Sequence, residues 1–118
     1  MALVLVVDDE LHVRLLLAEL LRSLNHDVRL APTAAEGVEL FRNDHPDAVV
    51  VDIRLPDASG MTVLDAIYET RPDVPVIMMS GHADDGVAQD SRKRGAFDFL
   101  VKPFSIDAFV RIIAAALA

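Results

Sequence analysis

Six residues in this chain are of types, and at spacings, that can do chemistry together. Asp8 and Asp9 stand side by side after one short apolar run. Asp52 follows another such run, Ser80 a third, and Lys102 with Pro103 closes the last. Each is ordinary alone. An Asp after a strand often caps a helix. Asp52 can open a turn with Pro56 and Gly60, Ser80 before Gly81 is common turn chemistry, and Lys102 can be a solvated strand end. The combination is harder to dismiss. Three crowded carboxylates repel and resist ionisation, and one lysine leaves roughly two negative charges uncompensated. A divalent cation is the natural counter-ion. Oxygen ligands with no His or Cys beside them in sequence select Mg²⁺ or Mn²⁺ over Zn²⁺.

Common nucleotide-phosphate motifs are missing. No G-x-G-x-x-G follows the first apolar run, and no G-x-x-x-x-G-K-[ST] occurs anywhere. After Val7 the chain goes straight to acids, which would repel a bound nucleotide phosphate. Such a group of residues would hold a metal first and meet phosphate through it.

The elements that must position these residues can be read from hydrophobic patterning. Apolar runs occupy 3–7, 28–31, 48–51, 76–79 and 97–101. Short continuous runs, most of them rich in β-branched or aromatic residues, suit strands buried on both faces. Amphipathic segments lie between them. In 11–24, His12, Glu19, Arg22 and Ser23 share about one quadrant at roughly 100° per residue, and Arg14 is the exception on the apolar remainder. Thr33 and Glu36 make a capping box for the second helix, and 43–47, with Pro46, breaks it. Ser59 or Gly60 begins the third helix, and Arg71–Pro72 closes it. Asp84 or Asp85 caps the fourth, Gly95 ends it, and Ser105 caps the fifth.

Five βα units with right-handed crossovers predict a doubly wound α/β domain with a parallel sheet and five helices. In such sheets ligands bind outside the carboxyl ends of the strands, where strand order reverses. Four of the five expected strand ends carry the polar residues above, which would bring them to one rim.

Composition bounds the alternatives. The chain has 118 residues, 53 % hydrophobic and 25 % charged, the balance of one folded domain. It lacks cysteine, which excludes disulfides and thiolate metal sites. With 11 basic residues and a net charge of −8, it is a poor nucleic-acid binder by itself. The Arg92–Lys93–Arg94 run reads as a helix C-terminus complementing its own dipole. No apolar stretch approaches the ~20 residues that span a bilayer, and no basic leader precedes the first apolar run.

These motifs resemble a known family. Val7-Asp8-Asp9-Glu10, then Asp52-Ile53-Arg54-Leu55-Pro56 with Gly60, then Ser80-Gly81 and Lys102-Pro103, look like the receiver domain of two-component response regulators. The resemblance runs through the whole chain. Ser80-Gly81-His82-Ala83-Asp84 and Gly95-Ala96-Phe97-Asp98-Phe99-Leu100 are similar to the nitrogen-regulation class, whose members add a central ATPase and a DNA-binding output domain. The resemblance implies the flavodoxin-like strand order 2-1-3-4-5. It implies a cytoplasmic signalling protein of which residues 1–118 are one receiver domain, the N-terminal part of a longer regulator.

The roles implied are specific. Asp52 would accept a phosphoryl group from a sensor histidine kinase. Asp9 and Asp52 would bind Mg²⁺, with the backbone carbonyl of Arg54, while Asp8 acts through a water. Lys102 and Ser80 would contact phosphoryl oxygens. The Lys102–Pro103 bond would be cis, and Phe99 would be a switch aromatic moving with Ser80. The output surface would be the fourth helix, fifth strand and fifth helix, contacting the chain's own output domain or a second receiver. Two sequence features bear on that surface. The fourth helix is polar, contains Gly86 and offers few anchors beyond Val87 and Ala88. The fifth has only Asp107 and Arg111 as polar residues from 106 to 118, so a partner is expected to cover it.

Arg54 and His82 flank the path of the hydrolytic water in the family and would shield an acyl phosphate, giving it a lifetime of minutes or longer. Two other functions compete with this one. An aspartyl-phosphate phosphatase needs a second carboxylate two residues after the nucleophile, where this chain has Arg54. A phosphorylation-independent interaction module usually lacks an acid or the lysine, and none is missing here.

Overall fold

The apolar runs become strands because both faces of the sheet are covered. A computed structural model describes residues 1–81 and 85–118, the side chain of Asp85 excepted. Strands β1 (Leu3–Val7), β2 (Asp27–Ala31), β3 (Ala48–Asp52), β4 (Val76–Ser80) and β5 (Asp98–Val101) alternate with helices α1 (Leu11–Ser23), α2 (Ala34–Asp44), α3 (Gly60–Thr70), α4 (Asp85–Lys93) and α5 (Ile106–Ala116). The sheet is parallel, in the order β2-β1-β3-β4-β5. This is the fold class and strand order expected from the sequence.

Side chains alternate along each strand, so every continuous apolar run supplies two cores. Leu5, Val7, Val49, Val51, Val76, Met78 and Phe99 pack with α2 and α3. Val4, Val6, Val50, Ile77, Met79 and Leu100 pack with Leu17 and Leu21 of α1 and Phe109 and Ile113 of α5. The large side chains of α5 thus turn inward, and Phe104 stacks on Phe109 at 5.8 Å. What α5 leaves exposed is Ile106, Asp107, Arg111 and two alanines, a thinner apolar face than its composition suggests.

Boundaries shift where backbone pairing outruns side-chain polarity. β3 and β4 extend to Asp52 and Ser80, because Ile53 N–H donates to the Met79 carbonyl (2.9 Å) and Lys102 N–H to the Ser80 carbonyl (2.7 Å). Helix α1 stops at Ser23, ahead of Asn25 in the left-handed region at φ 67°. Phe97 precedes β5 with its side chain exposed. Thr33, Ser59 and Ser105 cap α2, α3 and α5 as their hydroxyls accept from Glu36, Met61 and Ala108 N–H. Gly95 follows α4 at φ 104°. The expected cap of α4 at Asp84 or Asp85 lies outside the described residues.

Helix α4 is better anchored than its sequence suggests. Ser91 is fully buried, with its hydroxyl donating to the Val87 carbonyl at 2.9 Å and touching Met61 Sδ at 3.7 Å. Arg94, just past the helix, pairs with Asp65 of α3 at 2.6 Å, and the Tyr68 hydroxyl donates to the Gly95 carbonyl. A buried serine can bond its own helix's backbone, so its polarity misleads a periodicity argument.

Candidate functional site

Register decides which residues meet. Val7 pairs with Val51, so Asp8 and Asp52 leave adjacent strands at the same level, where the strand order reverses. Ser80 pairs with Val101, and Lys102 follows. β5 lies two strands from β3, roughly 10 Å at ~4.8 Å per strand, so only a long side chain returns from there to Asp52. Lys102 does so. Its Nζ donates to Asp52 Oδ2 at 2.8 Å and to Asp8 Oδ2 at 2.6 Å, with Glu10 Oε1 at 3.7 Å. The Lys102–Pro103 peptide is cis.

The acids differ in environment. Asp8 is 0 % exposed. Its Oδ1 accepts from Glu10 N–H at 2.9 Å, so both of its oxygens hold hydrogen bonds. Burial pushes its carboxyl above the ordinary value. Hydrogen bonds from Lys102 and Glu10 only partly offset this, and the charge of Asp52 adds to it. For Lys102, burial alone would favour the neutral amine, but bonds to Asp52 and Asp8 and their charges outweigh it and raise its value. Asp52 is buried at the end of β3, and its Oδ1 accepts from Arg54 N–H at 3.0 Å. Asp9 and Glu10 are exposed at the mouth.

Ligand oxygens of Asp8, Asp9, Glu10 and Asp52 all lie within 4.8 Å of one another. Four carboxylates against Lys102 form an all-oxygen donor set with excess negative charge, which fits a hard divalent cation such as Mg²⁺ or Mn²⁺. The site opens into a cleft of about 670 Å³, whose lining runs from Asp9, Asp52, Arg54 and Lys102 to an apolar end at Val13, Leu16 and Phe104.

Every sequence-selected residue among those described is located. Asp8, Asp9, Asp52 and Lys102 come together, and Arg54 lies exposed at the lip. Ser80 is buried at the end of β4. Phe99 pairs with Met78 and points into the core shared with α3. His82, expected to flank the site, lies outside the described residues.

Three contributions to the site emerge only from the structure, although Glu10 and Gly60 stand in the motifs quoted above. Glu10 joins the acidic cluster, and the run of three consecutive acids was its visible signal. Asp57 accepts from Ala34 and Ala35 N–H at 2.9 and 3.0 Å, tying the loop after Asp52 to the start of α2. Those two bonds hold its carboxyl below the ordinary range. Gly60 packs so tightly that an added Cβ would lie 2.2 Å from the Asp52 carbonyl oxygen. The Asp57 contact crosses 23 residues and leaves no local sequence signal.

Comparison with known proteins agrees with this geometry. The family model of the response regulator receiver domain matches residues 4–114. The regulatory protein LuxO of Vibrio cholerae is 37 % identical over 101 residues, covering 86 % of this chain and 22 % of LuxO. The DNA-binding transcriptional regulator NtrC of Escherichia coli K12 is 34 % identical over 116 residues, covering 98 % of this chain and 25 % of NtrC. The chain spans about a quarter of the length of these curated relatives. Among solved structures, a CheY-like response regulator receiver domain protein from Methanospirillum hungatei superposes with a TM-score of 0.94 at 27 % identity, covering 99 % of this chain and 94 % of that one. NtrX from Brucella abortus superposes at 0.92 and 36 % identity, covering 98 % of this chain and 27 % of NtrX. With the acidic cleft at the reversal of strand order, these matches establish that the chain belongs to the response regulator receiver domain family.

Proposed function

We propose that this domain is a phosphorylation-switched signalling module in which Asp52 accepts a phosphoryl group from a phosphohistidine of a sensor histidine kinase. The observation that carries it is Lys102 Nζ bonded to both Asp8 and Asp52 beneath an open cleft ringed by acids. An Asp52 carboxylate oxygen attacks phosphorus. The P–N bond to the imidazole breaks as the P–O bond forms, and the bonding pair leaves with the ring nitrogen. Little covalent work falls to the protein, which positions groups and offsets charge. Lys102 serves as a point charge that transfers from Asp52 to a phosphoryl oxygen, and the Ser80 hydroxyl bonds another. The domain is not a turnover enzyme; it catalyses only its own phosphorylation and dephosphorylation.

Asp9, Asp52 and the Arg54 carbonyl would hold Mg²⁺ or Mn²⁺, with Asp8 acting through a water, since both Asp8 oxygens already hold hydrogen bonds. When bound, the cation would offset the charge of the carboxylates and of the entering phosphoryl group. Exposed Arg54 would shield the acyl phosphate from water.

Readout passes through α4, β5 and α5. Charge-assisted hydrogen bonds contribute ~1.5–3 kcal/mol each, and moving a two-state equilibrium from 1:99 to 99:1 takes ~5.5 kcal/mol. Two contacts at the upper end of that range, or three near its middle, at Ser80 and Lys102 suffice, with Phe99 as the aromatic that responds. Phe97, Val101 and Ile106 are exposed apolar residues on or beside these elements, which supports docking of an output domain or a second receiver. Relatives about four times as long, including a DNA-binding transcriptional regulator, support a place in a longer regulator with a transcriptional output, and we place this domain at the N-terminal end of such a cytoplasmic regulator. The domain's charge of −8 leaves DNA contact to that output. No helix among the described residues is long and apolar enough to cross a membrane.

Incubation with Mg²⁺ and a small phosphodonor, followed by intact mass, tests the central claim. One phosphoryl mass is expected on the wild type and none on Asp52→Asn. An undiminished gain in the variant would refute it.

A further inference from the structure

Arg14 is misplaced by every local rule. Its helical neighbours at i+3, i+4 and i+7 are Leu17, Ala18 and Leu21, the three buried residues of α1, so Arg14 lies on the inward stripe. It also sits one turn after the N-cap Glu10, where a cation opposes the helix dipole. The first turn itself holds no acid, the nearest being the N-cap Glu10. Arg14 is half-buried, and a guanidinium turned toward the core costs free energy unless it is paired.

Its partner explains the placement. Arg14 Nη1 donates to the backbone carbonyl of Asp8 at 2.7 Å, while its own N–H donates to the Glu10 carbonyl at 3.1 Å. One residue therefore clamps the turn from β1 into α1. Asp8 is held at every polar atom. Its N–H donates to the Ala31 carbonyl at 3.0 Å, its carbonyl accepts from Arg14, and its carboxylate accepts from Glu10 N–H and Lys102. Three of these bonds come from backbone or from the lysine itself. Among the described residues, the Arg14 contact is the one made by a side chain other than the lysine.

We propose that Arg14 is a positioning residue of the phosphoacceptor site: by holding the Asp8 carbonyl it aims the Asp8 carboxylate at Lys102 and so fixes where the lysine waits for the phosphoryl group. The inference rests on the phosphoacceptor function proposed above. Arg14 touches no reacting atom, and its influence runs through Asp8.

The test uses Arg14→Met, which keeps the apolar stem and removes the donors, and Arg14→Lys, which keeps charge and a donor. Three quantities are measured beside melting temperature. They are the Lys102 ammonium resonance by NMR without metal, Mg²⁺ binding by calorimetry without phosphodonor, and the phosphorylation rate by intact mass. Arg14→Met is expected to shift or broaden the Lys102 resonance and to weaken Mg²⁺ binding about tenfold, the loss typical of an outer partner of a ligand. Arg14→Lys is expected to recover most of that loss. An unchanged Lys102 resonance with Mg²⁺ affinity within about twofold of wild type would overturn the proposal, given the losses outer partners normally cause. Equal impairment of both variants in proportion to lost melting temperature would also overturn it, since that marks a purely structural role. Should Arg14→Met not fold, Arg14→Gln takes its place under the same criteria. A wild type that neither binds Mg²⁺ nor gains mass would instead refute the phosphoacceptor function, while the metal-free Lys102 resonance still reports on Arg14.

Discussion

At the scale of single residues, one lysine is shared between two carboxylates, and the sharing leaves the site short of positive charge. Lys102 reaches Asp8 and Asp52 at 2.6 and 2.8 Å, with Asp9 and Glu10 close by. Burial raises the Asp8 carboxyl above its ordinary value of 3.8. The sign follows from linkage. A carboxyl raised in the fold binds protons more tightly there than in the unfolded chain, so ionised Asp8 costs stability at neutral pH, and the cost is relieved as pH falls through the raised value. Asp8→Asn is therefore expected to melt a few degrees higher at pH 7 without Mg²⁺. The same substitution is expected to slow phosphorylation by about tenfold or more, because it removes a hydrogen-bond partner of Lys102 and, on the function proposed above, an outer partner of the metal. Thermal melts and intact-mass time courses check both, and a lower melting temperature would contradict the charge argument. Stability and function oppose each other here because function needs the crowding.

At the scale of elements, the loop after Asp52 is held from two directions. Gly60, first residue of α3, has no room for a side chain: a Cβ there would lie 2.2 Å from the Asp52 carbonyl oxygen and 2.9 Å from Ile53 Cα. Those are backbone atoms and cannot swing aside. Gly60→Ala is expected to destabilise by about 1–3 kcal/mol, as overpacking does, and to slow phosphorylation because the displaced backbone belongs to the acceptor. Urea unfolding with mass analysis measures both. From the other side, Asp57 caps α2 through Ala34 and Ala35 N–H. Those hydrogen bonds lower its carboxyl below 3.8. A depressed carboxyl contributes stability that is complete above the unfolded value and is lost as pH falls through the folded one. Asp57→Asn is expected to melt below wild type at pH 7, with the gap closing as the pH drops below 3.8. A constant gap across that range would mean that the carboxylate's charge contributes nothing to the cap.

At the scale of the whole molecule, two cores share one sheet. That arrangement explains why the fold was readable: strands covered on both faces are apolar on both, so short, mainly apolar runs mark the parallel strands, with Arg29 on edge strand β2 and Asp98 at the start of edge strand β5 as the charged exceptions. The acids and Lys102 were equally readable, because polar residues directly after such runs mark the carboxyl rim where doubly wound sheets bind ligands. Hidden from the sequence were contacts that depend on distance in space. Ser91 looks like a surface residue until α4 is seen turning it inward. Arg14 breaks the apolar stripe of α1 until the Asp8 carbonyl is seen facing it. α5 reads as a helix needing outside cover until Phe109 and Ile113 are found inside. By itself, then, the sequence determined the element types and the polar residues gathered at the strand ends, since local periodicity specifies these, while the strand order followed from the family resemblance and was set by the pairing of the strands in space. Tertiary structure alone decided that one lysine serves two acids, that Asp57 and Gly60 brace the acceptor loop, and that Arg14 secures Asp8. Those pairings join residues far apart in the chain or bonded through backbone atoms, and neither kind leaves a pattern in side-chain identity.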